Sequence, residues 1–285
     1  MPRGLWPTPG GVRVTSGPEL LSGRLLEAKV VVVSGVGPGL GRHIAEDSLA
    51  AGASVVLSAR SGDYLAELAA ELGGRYGPDR LATQRCDVTS DEECRVLMAA
   101  AEAAFGGVDA VVANAFASGR RDTTLEESEV DDWKIAFDVN FFGSLRLTKA
   151  ATPVLRRRGG GAIVYIGSQI VRRVRAGRGP YASSKAALLT ASHVLARELG
   201  PDNIRVNTVV PGRMFAAPLH GYIQQLADQR GTTFDEQVAV MVNDVSLNKL
   251  ATDEECARAV VFLCSDMSAS MTGQAIDTNA GETFH

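Results

Sequence analysis

Long apolar runs are missing from this chain. None approaches the ~18 residues needed to cross a bilayer, so the sequence reads as that of a soluble protein with no membrane partner. Cysteine is scarce: Cys86, Cys94, Cys256 and Cys264 are the only four. They form no CxxC pair, and no His/Cys cluster has zinc-ligand spacing. Buried free thiols, a reducing cytoplasmic setting and no metal site are therefore expected. An excess of basic charge is missing too. The 29 basic and 33 acidic side chains give a formal net charge of -4, whereas a nucleic-acid binder would be clearly basic. No repeat of solenoid period occurs, and no linker divides the sequence.

Residues 1–28 are broken by Pro and Gly every few positions and lack the continuous apolar core of a secretory signal. A flexible arm is expected there, with Trp6 packing on a neighbouring subunit as the alternative. From residue 29 to 285 a single domain is expected.

What is present is alternation. "KVVVVS" (29–34), "ASVVLSA" (53–59), "LATQRCDV" (81–88), "GVDAVVANA" (107–115), "GGAIVYIGS" (160–168), "NIRVNTVVPG" (203–212) and "GQAIDTN" (273–279) read as strands. Helical or polar stretches separate them. Several strands are apolar on both faces, which predicts an α/β fold: a doubly wound, seven-stranded parallel sheet with helices on both faces. The exception is 213–250, a polar, loosely helical insertion after a strand. Ligands in such sheets sit at the carboxyl ends of strands, so this segment is a candidate lid.

"SGVGPGLGRHI" (34–44) follows the first strand and opens a helix. Strict G-x-G-x-x-G spacing fails, because Leu40 stands at the sixth place. The glycines that fit are Gly35, Gly39 and Gly41. Such a turn lets backbone approach a pyrophosphate, and the helix start offers free N–H groups. Dinucleotide binding is the reading. The second strand ends in Ser58-Ala59-Arg60-Ser61, with no carboxylate at its tip. Arg60 and Ser61 could grip a 2′-phosphate, favouring NADP; Asp63 reaching a ribose would favour NAD. Asp87, after the third strand, is placed either to hold an adenine edge or to cap the helix of 90–104.

Tyr181 and Lys185 are four apart in an Ala-rich helical segment, so they share one face. A neighbouring ammonium favours the phenolate and moves the phenol toward acid–base work near neutrality. Ser168 stands at a strand end thirteen residues before the tyrosine.

"SGVGPGLG", "CDVT", "VANA", "VNFFG" at 139–143, Ser168, "YASSK" and "VVPG" at 209–212, in that order, resemble the short-chain dehydrogenase/reductase family in its single-domain form, over about 29–281. The resemblance implies a Rossmann-type fold and oxidoreduction of a secondary alcohol and a ketone by hydride transfer with NADP or NAD. It implies Tyr181 as general acid/base, Ser168 as a hydrogen-bond partner of the substrate oxygen, and Lys185 on the nicotinamide ribose. Asn140 would position a water joining Lys185 to solvent, and Asn114 would line the cofactor cleft. Ser34, Val88, Ala115, Pro211 and Gly212 complete the implied cofactor site. Phe116, Gln169, Met214, Phe215 and Tyr222 are the implied substrate pocket. A homo-oligomer, tetramer or dimer, is expected through the helices at 130–156 and 181–199 and the C-terminal strand.

Four departures stand out. Ser34 replaces the family's usual Thr, Phe116 replaces a glycine, Ala216 stands where a threonine reaches the carboxamide, and Pro38 stands where NADP-type members often carry a basic residue. Enoyl reductases of the fold set their tyrosine seven residues before the lysine, and that position here is Arg178. Halohydrin dehalogenases lack the lysine and the glycine loop, and extended-type epimerases use another glycine spacing.

Arg172, Arg173, Arg175 and Arg178 crowd the stretch between Ser168 and Tyr181. Recognition of an anionic 3-oxoacyl thioester is one reading; solvated charges on a mobile loop is the other. Phe215, Leu219, Tyr222 and Ile223 read either as an apolar pocket wall or as a helix face packed on the core. The competing class, a non-catalytic dinucleotide sensor, would have no need of Ser168, Tyr181 and Lys185 together.

Overall fold

The computed structural model describes residues 24–119 and 122–284. Nearly all of the expected arm therefore lies outside the described residues. Of its last five residues, Leu26 is fully buried in the core and its N–H donates to Ala51 O at 2.9 Å.

Seven strands form one all-parallel sheet: β1 (Val30–Ser34), β2 (Ser54–Ser58), β3 (Leu81–Thr83), β4 (Ala110–Ala113), β5 (Gly161–Ile166), β6 (Ile204–Pro211) and β7 (Ala275–Thr278). Their order is β3-β2-β1-β4-β5-β6-β7. Every residue of β1 and β4 is buried, as befits central strands covered on both faces. The valines of β1 divide by the two-residue period of a strand. Val31 and Val33 pack with α1 (Leu40–Ala50), α2 (Gly62–Tyr76) and α9 (Asp253–Cys264) on one face. Val32 packs with α3 (Asp91–Phe105), α5 (Ser144–Arg158) and α6 (Gly179–Leu199) on the other.

β3 is shorter than its sequence pattern suggests. As an edge strand it has only β2 beside it, and beyond Thr83 the pairing continues only through Gln84 N–H to Leu57 O and Cys86 N–H to Ala59 O. Between β1 and β4 the chain order reverses, and this crevice is where an open parallel sheet binds ligands.

Helix starts differ in a way that bears on the site. Ser90, Thr233 and Thr252 cap α3, α8 (Phe234–Val242) and α9, and acidic residues fill each first turn. α1 has no side-chain cap and no acid in its first turn. Its start offers backbone N–H groups and a positive dipole end, with Arg42 N–H already held by Gly37 O and Gly39 O.

The segment 213–250 carries more regular structure than expected. α7 (Ala217–Arg230) and α8 pack on each other after a β-bridge between Met214 and Ala251. Ile223 is fully buried, whereas Tyr222 is half-exposed, so one face of α7 packs inward and the other faces outward. α4 (Val130–Phe137) leads through one π-helical turn, Asp138–Gly143, into α5. No helix among the described residues is long and apolar enough to cross a membrane. The four cysteines are free and buried.

Candidate active site

At Gly35 and Gly41 the turn fits its neighbours so closely that side chains are excluded. Gly35 has φ +90, and a Cβ there would stand 2.2 Å from Ala115 N. A Cβ on Gly41 would lie 2.6 Å from Gly35 O and 2.9 Å from Asn114 Nδ2. Asn114 Nδ2 donates to Gly35 O at 2.7 Å, and its own N–H donates to Ser34 O. Asn114 thus ties the end of β4 to the turn after β1. Gly35 and Val36 N–H groups both donate to Ser58 O, drawing the tip of β2 to the same point. Leu40 is buried at the first position of α1. Open glycine backbone, an uncapped helix start and converging strand ends make a cradle that fits a dinucleotide pyrophosphate.

Arg60 and Ser61 are both exposed at the end of β2, with Ser61 opening α2. Of the two readings of Asp87, helix capping is the one the structure does not support: Ser90 Oγ caps α3. Asp87 Oδ1 accepts from Thr89 N–H and Thr89 Oγ1. Those hydrogen bonds, led by the Thr89 backbone, hold its carboxyl below the usual range, with Arg60 contributing charge. Val88 packs against the π-helical turn, where a Cβ on Gly143 would meet Val88 Cγ2 at 2.6 Å. Ser34, Val88 and Ala115 line one small cleft.

The proposed chemistry lies along α6. Lys185 is 2% exposed, and its Nζ donates to Ile166 O at 2.7 Å, at the end of β5. Burial lowers its pKa to about 8. The same Nζ stands 5.9 Å from the centre of the Tyr181 ring. Arg178 lies over that ring at 5.5 Å, and Phe116 meets it edge-on at 6.5 Å. The phenol is therefore bracketed by two cations. Ser168 is half-buried just beyond β5, and its Oγ accepts from Ile170 N–H at 3.3 Å.

Asn140 sits in the π-helical turn and is fully buried. Its Oδ1 accepts from Ala117 N–H at 2.7 Å, and its Nδ2 donates to Ala117 O and to Ser184 Oγ, both at 2.8 Å. The side chain is thus occupied with protein partners. A water relay at this residue would use the main-chain carbonyl, which already accepts from Ser144 Oγ.

Pro211 ends β6, and Gly212, which follows it, donates its N–H to Thr278 O. A Cβ on Gly212 would stand 2.7 Å from Asn279 Cβ and 3.2 Å from Gln169 Oε1. Gln169 is buried beside Ser168. Of the other expected pocket residues, Phe215 meets His220 edge-on at 4.2 Å between ring centres, and Phe116 and Tyr222 are exposed.

In the arginine stretch Arg172 is largely shielded, whereas Arg173 and Arg175 are exposed. Arg172 Nε lies 3.6 Å from Asp277 Oδ1, and Arg173 and Arg175 each approach Glu282 Oε1 to 4.0 Å. Three of the four arginines are thus directed at two carboxylates of the C-terminal segment, and the fourth at Tyr181.

Sequence reasoning missed several residues. Ser184 links Asn140 to the Tyr181 carbonyl. Glu282 accepts from Gln169 across 113 residues. Asp253 places Oδ2 3.2 Å from the position of a Cβ on Gly39, and burial raises its pKa. Ser184 lies within the YASSK motif, whereas Glu282 and Asp253 carry no local signal beyond an ordinary polar residue.

A parallel doubly wound sheet, a glycine cradle at its switch point and a tyrosine–lysine helix beside it define a dinucleotide-dependent oxidoreductase. The family model described as Enoyl-(Acyl carrier protein) reductase matches residues 35–283. The 7alpha-hydroxysteroid dehydrogenase of Escherichia coli (strain K12) is 30% identical over 262 residues, covering 90% of this chain and 94% of its own. The 3-oxoacyl-[acyl-carrier-protein] reductase FabG of Vibrio cholerae is 31% identical over 256 residues, covering 90% and 98%. The crystal structure of L-sorbose reductase from Gluconobacter frateurii, complexed with NADPH and L-sorbose, superimposes with a TM-score of 0.84 at 30% identity, covering 91% and 98%. The chain belongs to the short-chain dehydrogenase/reductase family and is an NAD(P)-dependent oxidoreductase.

Proposed function

We propose that the protein interconverts a secondary alcohol and a ketone with NADP(H), NAD(H) being the alternative cofactor, and that Tyr181 is its general acid/base. The observation that carries this reading is the placement of the buried Lys185 ammonium 5.9 Å from the Tyr181 ring, at the end of the strand that leads to Ser168. In the direction of reduction, Tyr181 Oη gives its proton to the substrate oxygen while Ser168 Oγ donates a hydrogen bond to the same atom. Lys185 has two N–H groups beyond the one held by Ile166 O, and these meet the ribose hydroxyls. Its charge favours the phenolate left after proton transfer. When bound, the nicotinamide supplies the hydride. Positioning and preorganised hydrogen bonds provide most of the acceleration.

In this reading Gly35, Gly39, Leu40 and Gly41 hold the pyrophosphate, and Arg60 and Ser61 take the 2′-phosphate. Asp87 and Val88 border the adenine; Asn114, Ala115, Pro211 and Gly212 border the nicotinamide half. Phe116, Gln169, Met214, Phe215 and Tyr222 form the pocket under a lid of 213–250 in a single catalytic domain. A neutral substrate is favoured over a 3-oxoacyl thioester, because Arg172, Arg173 and Arg175 lie near internal carboxylates. Homo-oligomerisation is proposed through the exposed apolar groove of Val130, Ile135 and Phe142, and a cytoplasmic setting through the free buried thiols.

Fluorescence titration with NADPH and NADH, followed by turnover of L-sorbose, 7-oxo glycochenodeoxycholate and acetoacetyl-CoA with the tighter cofactor, tests the assignment. Failure to bind either nucleotide would overturn it.

A further inference from the structure

Glu282 is a carboxylate in a place where burying a charge needs a reason. Its side chain is 2% exposed, and a buried charge is tolerated only when paired and hydrogen-bonded. Its Oε2 accepts from Gln169 Nε2 at 2.7 Å and, at 3.4 Å, from Arg213 N–H. Its Oε1 lies 2.6 Å from Arg213 Nε and 4.0 Å from both Arg173 and Arg175. One carboxylate thus gathers the residue after Ser168, the loop that leads to Tyr181, and the first residue of the 213–250 segment.

The connections extend from there. Arg213 also donates through Nη2 to Met241 O, in α8. The far end of the segment is tied to the same short stretch of chain. Ser246 N–H and Ser246 Oγ donate to Gly281 O, and Leu247 N–H donates to Ala280 O. Gly281 has φ +80, and a Cβ on it would stand 2.6 Å from Ser246 Cβ, so the approach is close. Residues 280–282 therefore hold both ends of the segment.

The carboxylate also fixes an orientation. It can only accept, so the Gln169 amide must present Nε2 to it and turn Oε1 the other way, toward Gly212. A neutral acceptor at 282 could make that one hydrogen bond but could not compensate the guanidinium of Arg213.

We infer that Glu282 is a positioning residue: through Gln169, Arg213 and the arginine loop it holds the substrate mouth and the root of the 213–250 segment in their working arrangement against the C-terminal strand. Only the kinetic part of its test rests on the oxidoreductase assignment.

The arginines supply the readout, because trypsin cuts after them only when the backbone opens locally. Wild type, Glu282→Ala and Glu282→Gln, each without added nucleotide, are digested under native conditions and the products assigned by mass. Cleavage after Arg173 and Arg175 should rise about tenfold or more in Glu282→Ala and less in Glu282→Gln. Cleavage after Arg60, at the distant strand end, should not change. On whichever of L-sorbose, 7-oxo glycochenodeoxycholate and acetoacetyl-CoA the wild type reduces best, KM should rise and kcat fall, with the NADPH Kd held within about twofold.

Equal cleavage at Arg173 and Arg175 in all three proteins overturns the inference. So does an equal rise at Arg60, which would mark general destabilisation. Should the wild type bind neither nucleotide, the assignment of function is what fails; the digestion, run without nucleotide, decides the role of Glu282 in either case. Glu282→Gln keeps the comparison available if the alanine variant does not fold.

Discussion

Asn140 Nδ2 donates to Ser184 Oγ at 2.8 Å, across 44 residues of sequence, and Ser184 Oγ in turn donates to the carbonyl of Tyr181. The π-helical turn is thereby fastened to the helix that carries Tyr181. Such turns recur at functional sites because the extra residue re-aims what it carries.

Asn140→Ala would leave Ala117 N–H, Ala117 O and Ser184 Oγ short of a partner in a buried place. A loss of about 2–3 kcal/mol in folding stability is expected, with kcat falling more than the NADPH Kd rises. Urea unfolding and a cofactor titration on the same variant check both parts.

Gly35→Ala sets a Cβ against the Ala115 backbone at a left-handed φ that alanine avoids. NADPH affinity should fall by roughly tenfold or more, because the turn must move away from β4 to admit the methyl. Gly37→Ala is the control, since nothing lies within 4 Å of its Cβ position. Its titration curve should overlay the wild type.

Much of this architecture was legible in the sequence because its causes are local. Val31, Val32 and Val33 alternate between two cores, so β1 is written in its own valines. The glycine turn and the Tyr181–Lys185 pair each lie within one turn of chain. What was not legible depends on partners far apart. The arginine loop looks the same in sequence whether it meets solvent, an anionic substrate or the carboxylates of Asp277 and Glu282. The length of β3 depends on its having one neighbouring strand, and the engagement of Asn140 on Ala117 and Ser184, which no periodicity announces.

Lys185 couples stability to pH. Burial lowers its pKa to about 8 from an unfolded value of 10.5. Below pH 8 both states are protonated, and the cost of burying the charge is present in full. Between pH 8 and 10.5 the unfolded chain holds the proton and the folded one does not, so this group's contribution to stability rises with pH. Lys185→Met should therefore be at least as stable as wild type at pH 7 and lose that advantage toward pH 10, while losing turnover. Urea midpoints at the two pH values check the sign.

Arg60 is exposed at the tip of β2, beside the ring of groups that would meet the adenosine. Arg60→Ala should weaken NADPH by roughly tenfold and leave NADH within about twofold, because only the 2′-phosphate offers a charge-assisted partner. Parallel fluorescence titrations with the two nucleotides read the difference directly.

The most direct measurement is made on Tyr181→Phe. The ring and its packing between Arg178, Phe116 and Lys185 survive, and only the hydroxyl is removed. NADPH should bind as in the wild type while ketone reduction falls by about two to four powers of ten, the range of a positioned acid–base group. Turnover close to that of the wild type, with cofactor bound, would contradict the assignment of the proton donor and with it the account of the site.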